Sequence, residues 1–160
     1  MKDIKQAFEN LLKQLPEDIS VMLENETNQA FENESWDGQK WSPRKDKLND
    51  RALLIGSGAL KRSISFEHSA NSVSVSTDLK YAKIQNEGGK IVQKPTFKQR
   101  MFFSHKSNSA GSTKESNKWA AMSMAKELKI TIPARQFIGV PEGFFPKLEK
   151  HLENQLDKIL

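Results

Sequence analysis

The chain has 160 residues, of which 36% are hydrophobic and 28% charged, with a formal net charge of +5 and a mean hydropathy of −0.66. That length suits a single domain over residues 1–160, and nine Phe and three Trp supply material for a modest core. With no cysteine present, a disulfide framework and a cysteine-ligated zinc site are excluded, and an N-terminus reading MKDIKQAFENLLKQL, charged in every turn, excludes a signal peptide or membrane span and points to a soluble, intracellular protein.

The first element in chain order is a long helix. Ile4, Phe8, Leu11, Leu12, Leu15, Ile19, Met22, Leu23, Ala30 and Phe31 recur at spacings of three and four, which lays one apolar stripe along a helix. Pro16 interrupts the stripe, so the helix either kinks there or ends near Leu15 and restarts. Asp37-Gly38 supplies a turn that stops it. Trp36 and Trp41 flank that turn, and large aromatics in such a place fold back over the core.

A short helix and a small sheet are expected next. Ser57 is placed to cap a helical turn running through Leu60 to Arg62. Ile64, Phe66 and His68 alternate with polar residues, as do Val73 and Val75 with serines, and Ala70-Asn71 lies between the two runs. The pattern is that of an antiparallel hairpin with one buried face. Asp78 suits the N-cap of a helix over Leu79–Glu87, ended by Gly88-Gly89, and Ile91-Val92 suits a third strand.

Residues 104–118 (SHKSNSAGSTKESNK) carry almost no apolar groups. They offer little burial to offset ordering entropy, which predicts a mobile loop within a basic insertion over 94–118. Ser112 and Glu115 have capping-box spacing, opening a helix on which Trp119, Met122 and Leu128 share a face. Ile130 and Ile132 alternate as a strand, with Pro133 at its edge. Phe144, Phe145, Leu148, Leu152, Leu156 and Ile159 form an amphipathic closing helix after Pro141. Together these elements predict an α+β fold, with the N-terminal and C-terminal helices packed on a small antiparallel sheet.

Charge is distributed unevenly. Residues 1–34 hold three lysines against eight acids, a net of −5, and residues 94–118 hold six basic residues against Glu115, a net of +5. Such asymmetry suits head-to-tail docking between copies, contact with another protein, or a nucleic-acid contact. Solvated faces of no special role are the plain alternative.

The residues offer no catalytic, cofactor or metal site. His68, His105 and His151 belong to three different elements, and none has a second His at helical ligand spacing. The terminal-helix carboxylates alternate with lysines, as exposed charge does. Gly56-Ser57-Gly58 lacks both the dinucleotide fingerprint and the Lys-Ser/Thr ending of a phosphate loop. No serine has an elbow and a positioned base. An interaction protein, not an enzyme, is the class this inventory favours.

Four ordered patterns carry a resemblance. They are Trp36-Asp37-Gly38-Gln39-Lys40-Trp41, Leu54-Ile55-Gly56-Ser57-Gly58-Ala59-Leu60 with Ser63-Ile64, Tyr81-Ala82 with Gly88-Gly89, and Ile132-Pro133-Ala134-Arg135-Gln136-Phe137-Ile138-Gly139. The set resembles the phage virion morphogenesis family, which includes tail-completion and Mu-like prophage proteins. Ser57 stands where Thr is usual, and Gln85 and Asn86 replace a His-Gln pair. The resemblance implies a small α+β structural protein of a phage or prophage, a virion component assembled in the host bacterial cytoplasm. It further implies action in tail completion or head–tail joining, through contacts with tail or connector proteins or with its own copies in a ring. Lys98, Arg100, Lys106, Lys114 and Arg135 are the expected interface residues. The alternative is a nucleic-acid-binding module, in which the cations of 94–118 neutralise phosphates while Phe97, Phe102 and Phe103 stack on bases.

Overall fold

The computed structural model describes residues 2–44 and 52–160, with the side chains of residues 2 and 3 left aside. The fold is α+β, with small antiparallel two-stranded ribbons beside the helices. It divides into two compact units, Met1–Glu87 with Ala134–Leu160, and Gly88–Pro133.

In the first unit, α1 (Lys2–Asn33) continues through Pro16 as one helix, so the expected alternative of two helices does not occur. Its apolar stripe ends in Phe31, which is 1% exposed. Burying such a ring is worth about 1.5–3 kcal/mol. Phe31 meets Trp41 edge-on at 5.7 Å and Phe137 at 5.3 Å between ring centroids. With Ala30, Leu53, Leu60 and Ala82, these aromatics form the core, and Trp36 packs against it.

The chain leaves α1 through Glu34 at φ 49° and enters a ribbon of β1 (Ser35–Trp36) and β2 (Gln39–Lys40). Its two-residue turn has Asp37 at φ 49° and Gly38 at φ 77°. Positive φ at both positions is the turn whose twist matches antiparallel strands, and Asp-Gly is a preferred pair for it. The Asp37-Gly38 turn therefore closes this ribbon one step after the helix has already ended.

After the short helix α2 (Ala59–Arg62), β3 (Ile64–Ser69) and β4 (Ser72–Thr77) form the expected hairpin, with Phe66 opposite Val75 and His68 opposite Val73. Side chains directly opposite one another share a face. Ile64, Phe66, Val73 and Val75 are half-buried on a face that α1 covers, whereas His68 is exposed. Two caps differ from expectation. Gly58, at φ 73°, occupies the N-cap of α2, although the Ser57 hydroxyl accepts from the Ala59 amide at 3.4 Å. The later helix α3 spans Ala82–Glu87, and Thr77 rather than Asp78 bonds the turn before it, through the Leu79 amide at 3.3 Å.

The closing helix α6 (Phe144–Leu156) lies on α1. There His151 Nε2 is 3.0 Å from Asp18 Oδ2, and Lys147 pairs with Glu26.

The second unit starts and ends on one ribbon. Strand β5 (Gly89–Gln93) pairs antiparallel with β6 (Leu128–Ile132), placing Ile91 opposite Ile130. The third strand thus forms its own ribbon instead of joining the β3–β4 hairpin. Between its strands stand α4 (Phe97–Asn108) and α5 (Thr113–Met124), a helical hairpin where the composition predicted a loop. Thr96 makes a reciprocal capping box with Gln99, which satisfies two amide donors and starts α4 firmly. Ser112 caps α5 through the Glu115 amide. Phe103 and Trp119 stack at 5.9 Å and 22°, and the Ser107 hydroxyl donates to the Ser116 carbonyl at 2.9 Å. Those contacts supply the burial and pairing that the serine-rich segment lacks alone. Leu128 lies on β6, not on the face of α5 where it was expected.

Candidate interaction surfaces

The helical hairpin brings four of the five expected interface residues together, but not in one role. Lys98, Lys106 and Lys114 are exposed. Arg100 turns inward instead. Its two terminal nitrogens donate to the Ser123 carbonyl at 2.6 Å and the Ala125 carbonyl at 2.9 Å. The last carbonyls of a helix have no partner within it, so Arg100 completes the end of α5 and ties it to the first turns of α4.

The same hairpin carries large apolar side chains in the open. Phe97 is 77% exposed and Met124 80%, and Met101 and Phe102 are more than half exposed. Phe97 and Met101 are four residues apart on α4, hence on one face, and Arg100 holds the residues flanking Met124 at that end of the helix. Only Phe103 of this cluster is buried. The sequence FKQRMFF reads as a core segment, and nothing local in it separates the buried ring from the exposed ones. Lys106 stands over the Phe102 ring at 5.8 Å and Lys118 over Trp119 at 5.6 Å, contacts worth about 0.5–1 kcal/mol at exposed sites.

Arg135 belongs to the first unit and is only 9% exposed. Its Nε donates to the Ser42 carbonyl at 2.9 Å and a terminal nitrogen reaches the Pro43 carbonyl at 3.4 Å. Burial and the neighbouring Arg44 push its pKa below the ordinary arginine value, while Glu34 acts in the opposite sense. The structure therefore turns two of the Arg135 nitrogens to the protein's own main chain.

Around Arg135, three of the four sequence patterns meet. The Trp41 indole donates to the Gln136 carbonyl at 2.8 Å, and the Arg135 amide donates to the Gln85 carbonyl at 2.9 Å. Asn86 Oδ1 accepts from the Phe137 amide at 2.9 Å and the Ile138 amide at 3.0 Å. A Cβ added at Gly139 would lie 2.7 Å from Gln136 Nε2 and 3.5 Å from the Trp36 ring. These residues hold an extended segment against the core, and so place Phe137 at 0% exposure.

Among the described residues, no group of three or more His, Asp or Glu is placed to hold a metal ion, and no helix is long and apolar enough to cross a membrane. His68 and His105 are exposed and His151 faces Asp18.

The fold is thus α+β, with apolar and basic side chains left open on the helical hairpin of its second unit. The chain belongs to the phage virion morphogenesis family, which it matches over residues 1–160, and the family supports a phage structural or assembly role. Comparison with curated proteins and with solved structures returns no significant match.

Proposed function

We propose that this protein is a non-enzymatic part of the virion that completes the tail or joins head to tail. It does so in the host bacterial cytoplasm, by docking on tail or connector proteins and on copies of itself in a ring. The observation that carries the reading is the exposure of Phe97, Met101 and Met124 on the helical hairpin, which also exposes Lys98, Lys106 and Lys114. Large apolar groups left in water by an isolated chain mark surfaces that a partner covers. Cations beside them favour an acidic partner and speed encounter. The acidic α1 of another copy has the complementary charge.

Arg100 is left out of this surface because it holds the hairpin together. The test is a variant with Phe97, Met101 and Met124 changed to Ser in the parent phage, its fold checked by circular dichroism. Virions should then stall with incomplete or unjoined tails. Normal yields of infectious particles would refute the docking role.

The nucleic-acid reading is favoured by one observation, a lysine over the exposed Phe102 ring, which is the pairing of cation and aromatic that single strands stack on. A gel shift with short DNA and RNA that falls with salt would support it. No shift at low salt removes it.

A further inference from the structure

The first unit contains a cavity of about 420 Å³ that neither the hairpin nor the core contacts account for. Its walls include Leu54, Ser57, Tyr81, Gln85, Arg44 and Arg135. Two guanidinium groups thus border one open space whose walls mix polar with apolar groups.

The donors of those groups are only partly used. A guanidinium carries five N–H donors. Arg135 directs its Nε and one terminal nitrogen to main-chain carbonyls, and Arg44 gives one terminal nitrogen to the Ala52 carbonyl at 2.7 Å. Neither has a further acceptor among the described residues. Among the described residues, the carboxylate that acts on Arg135 is that of Glu34, and one of its oxygens already accepts from the Leu53 amide. Gathering like charges in one place is unfavourable, and an anion that joins them relieves the repulsion.

Two further observations lie in the same walls. Gln85 Oε1 is buried and has no hydrogen-bond partner among the described residues. Rotating that amide by 180° exchanges the orphaned oxygen for an NH₂ group of nearly the same shape, which is a third donor for an anion. Leu54 is held at φ 60°, an uncommon left-handed conformation for a bulky residue, and such strain gathers at binding sites.

We propose that this cavity binds a carboxylate of a partner protein, held by Arg44 and Arg135 with Gln85 as third donor, while an apolar neighbour of that carboxylate rests on Leu54 and Tyr81. A planar carboxylate matches the guanidinium fork in two parallel hydrogen bonds. Leu54 and Tyr81 beside the guanidinium groups offer an apolar neighbour of a peptide carboxylate a surface to rest on, which a nucleic-acid phosphate with its hydrated, charged backbone would not use. The carboxylate comes from an Asp or Glu side chain or from a chain terminus. The site stands apart from the docking role proposed for the hairpin.

The experiment titrates the full chain, labelled with ¹⁵N, with four probes while following the Ser57 amide, the Gln85 side-chain amide and the arginine Nε–H signals. The probes are acetyl-Leu-Glu-Leu-amide, acetyl-Leu-Leu with a free terminal carboxylate, the neutral acetyl-Leu-Gln-Leu-amide, and inorganic phosphate. One or both carboxylate peptides should move these signals with a Kd on the order of 1 mM, the usual strength of a single small contact. Whichever binds tighter identifies the source of the carboxylate. The neutral peptide should leave the signals in place, and Arg44→Gln should weaken carboxylate binding at least tenfold. The triple-serine hairpin variant should bind as the wild type does, which separates this site from the docking reading. The proposal is overturned by equal response to the neutral peptide, by phosphate binding tighter than either carboxylate, or by no response at about 10 mM. Unchanged affinity in Arg44→Gln overturns it too. Should Arg44→Gln fail to fold, the comparison of charged with neutral peptide on the wild type still decides.

Discussion

Changing Asn86 to alanine removes one oxygen that accepts two main-chain amides, those of Phe137 and Ile138. A buried donor left unsatisfied costs about 1–3 kcal/mol, so two would cost about 2–6 kcal/mol. Asn86 itself is half-buried, and water admitted by the smaller side chain recovers part of the loss. The lower half of that range, about 2–4 kcal/mol, is the expected effect. Against a total stability of roughly 5–15 kcal/mol this is a large fraction, and at about 2–4 °C per kcal/mol the melting midpoint should fall by several degrees or more. Urea unfolding followed by tryptophan fluorescence reads it directly, because Trp41 sits in the core that the segment closes. The midpoint should drop with the slope unchanged. Asn86→Asp keeps an acceptor at the same place and should lose well under half as much. A loss below about 0.5 kcal/mol in the alanine variant, the range of ordinary surface substitutions, would refute the seam as a stabilising feature. Equal losses in the alanine and aspartate variants would refute the hydrogen-bond argument.

Gly139→Ala sets a Cβ 2.7 Å from Gln136 Nε2 at φ +150°. It should destabilise by about 1–3 kcal/mol, measured by the same unfolding curve, and Gln136→Ala should relieve part of it. Arg100→Ala frees the Ser123 and Ala125 carbonyls, which should speed amide hydrogen exchange in the last turn of α5, whereas Lys98→Ser leaves exchange unchanged. Removing the Lys147–Glu26 pair by Lys147→Ser should cost no more than about 1 kcal/mol, because the lysine side chain is more than half exposed. A thermal-unfolding comparison in low and high salt checks that the small loss is electrostatic.

The long N-terminal helix, the β3–β4 hairpin and the closing helix were legible because each rests on a repeat within a few residues. Ile64, Phe66, Val73 and Val75 announce their buried face by alternation alone, and the hairpin formed in that register. Thr96 and Gln99 carry capping-box spacing at the start of α4, but the serine-rich run that follows has the composition of a loop, and only packing against α5 makes it helical. The interface residues were legible as cations but not as roles.

Local spacing therefore specified the α+β class, the termini, the Asp37-Gly38 turn and the family resemblance, because these depend on neighbours within about one turn of helix or one hairpin. The pairing of β5 with β6 across the helical hairpin joins residues far apart in the chain, and periodicity carries no information about such partners. Whether Arg100 and Arg135 face solvent or a carbonyl, and which phenylalanine of FKQRMFF is buried, follow from what packs against them. Burial and hydrogen bonding are properties of surroundings assembled from distant segments, so those assignments emerged with the folded chain.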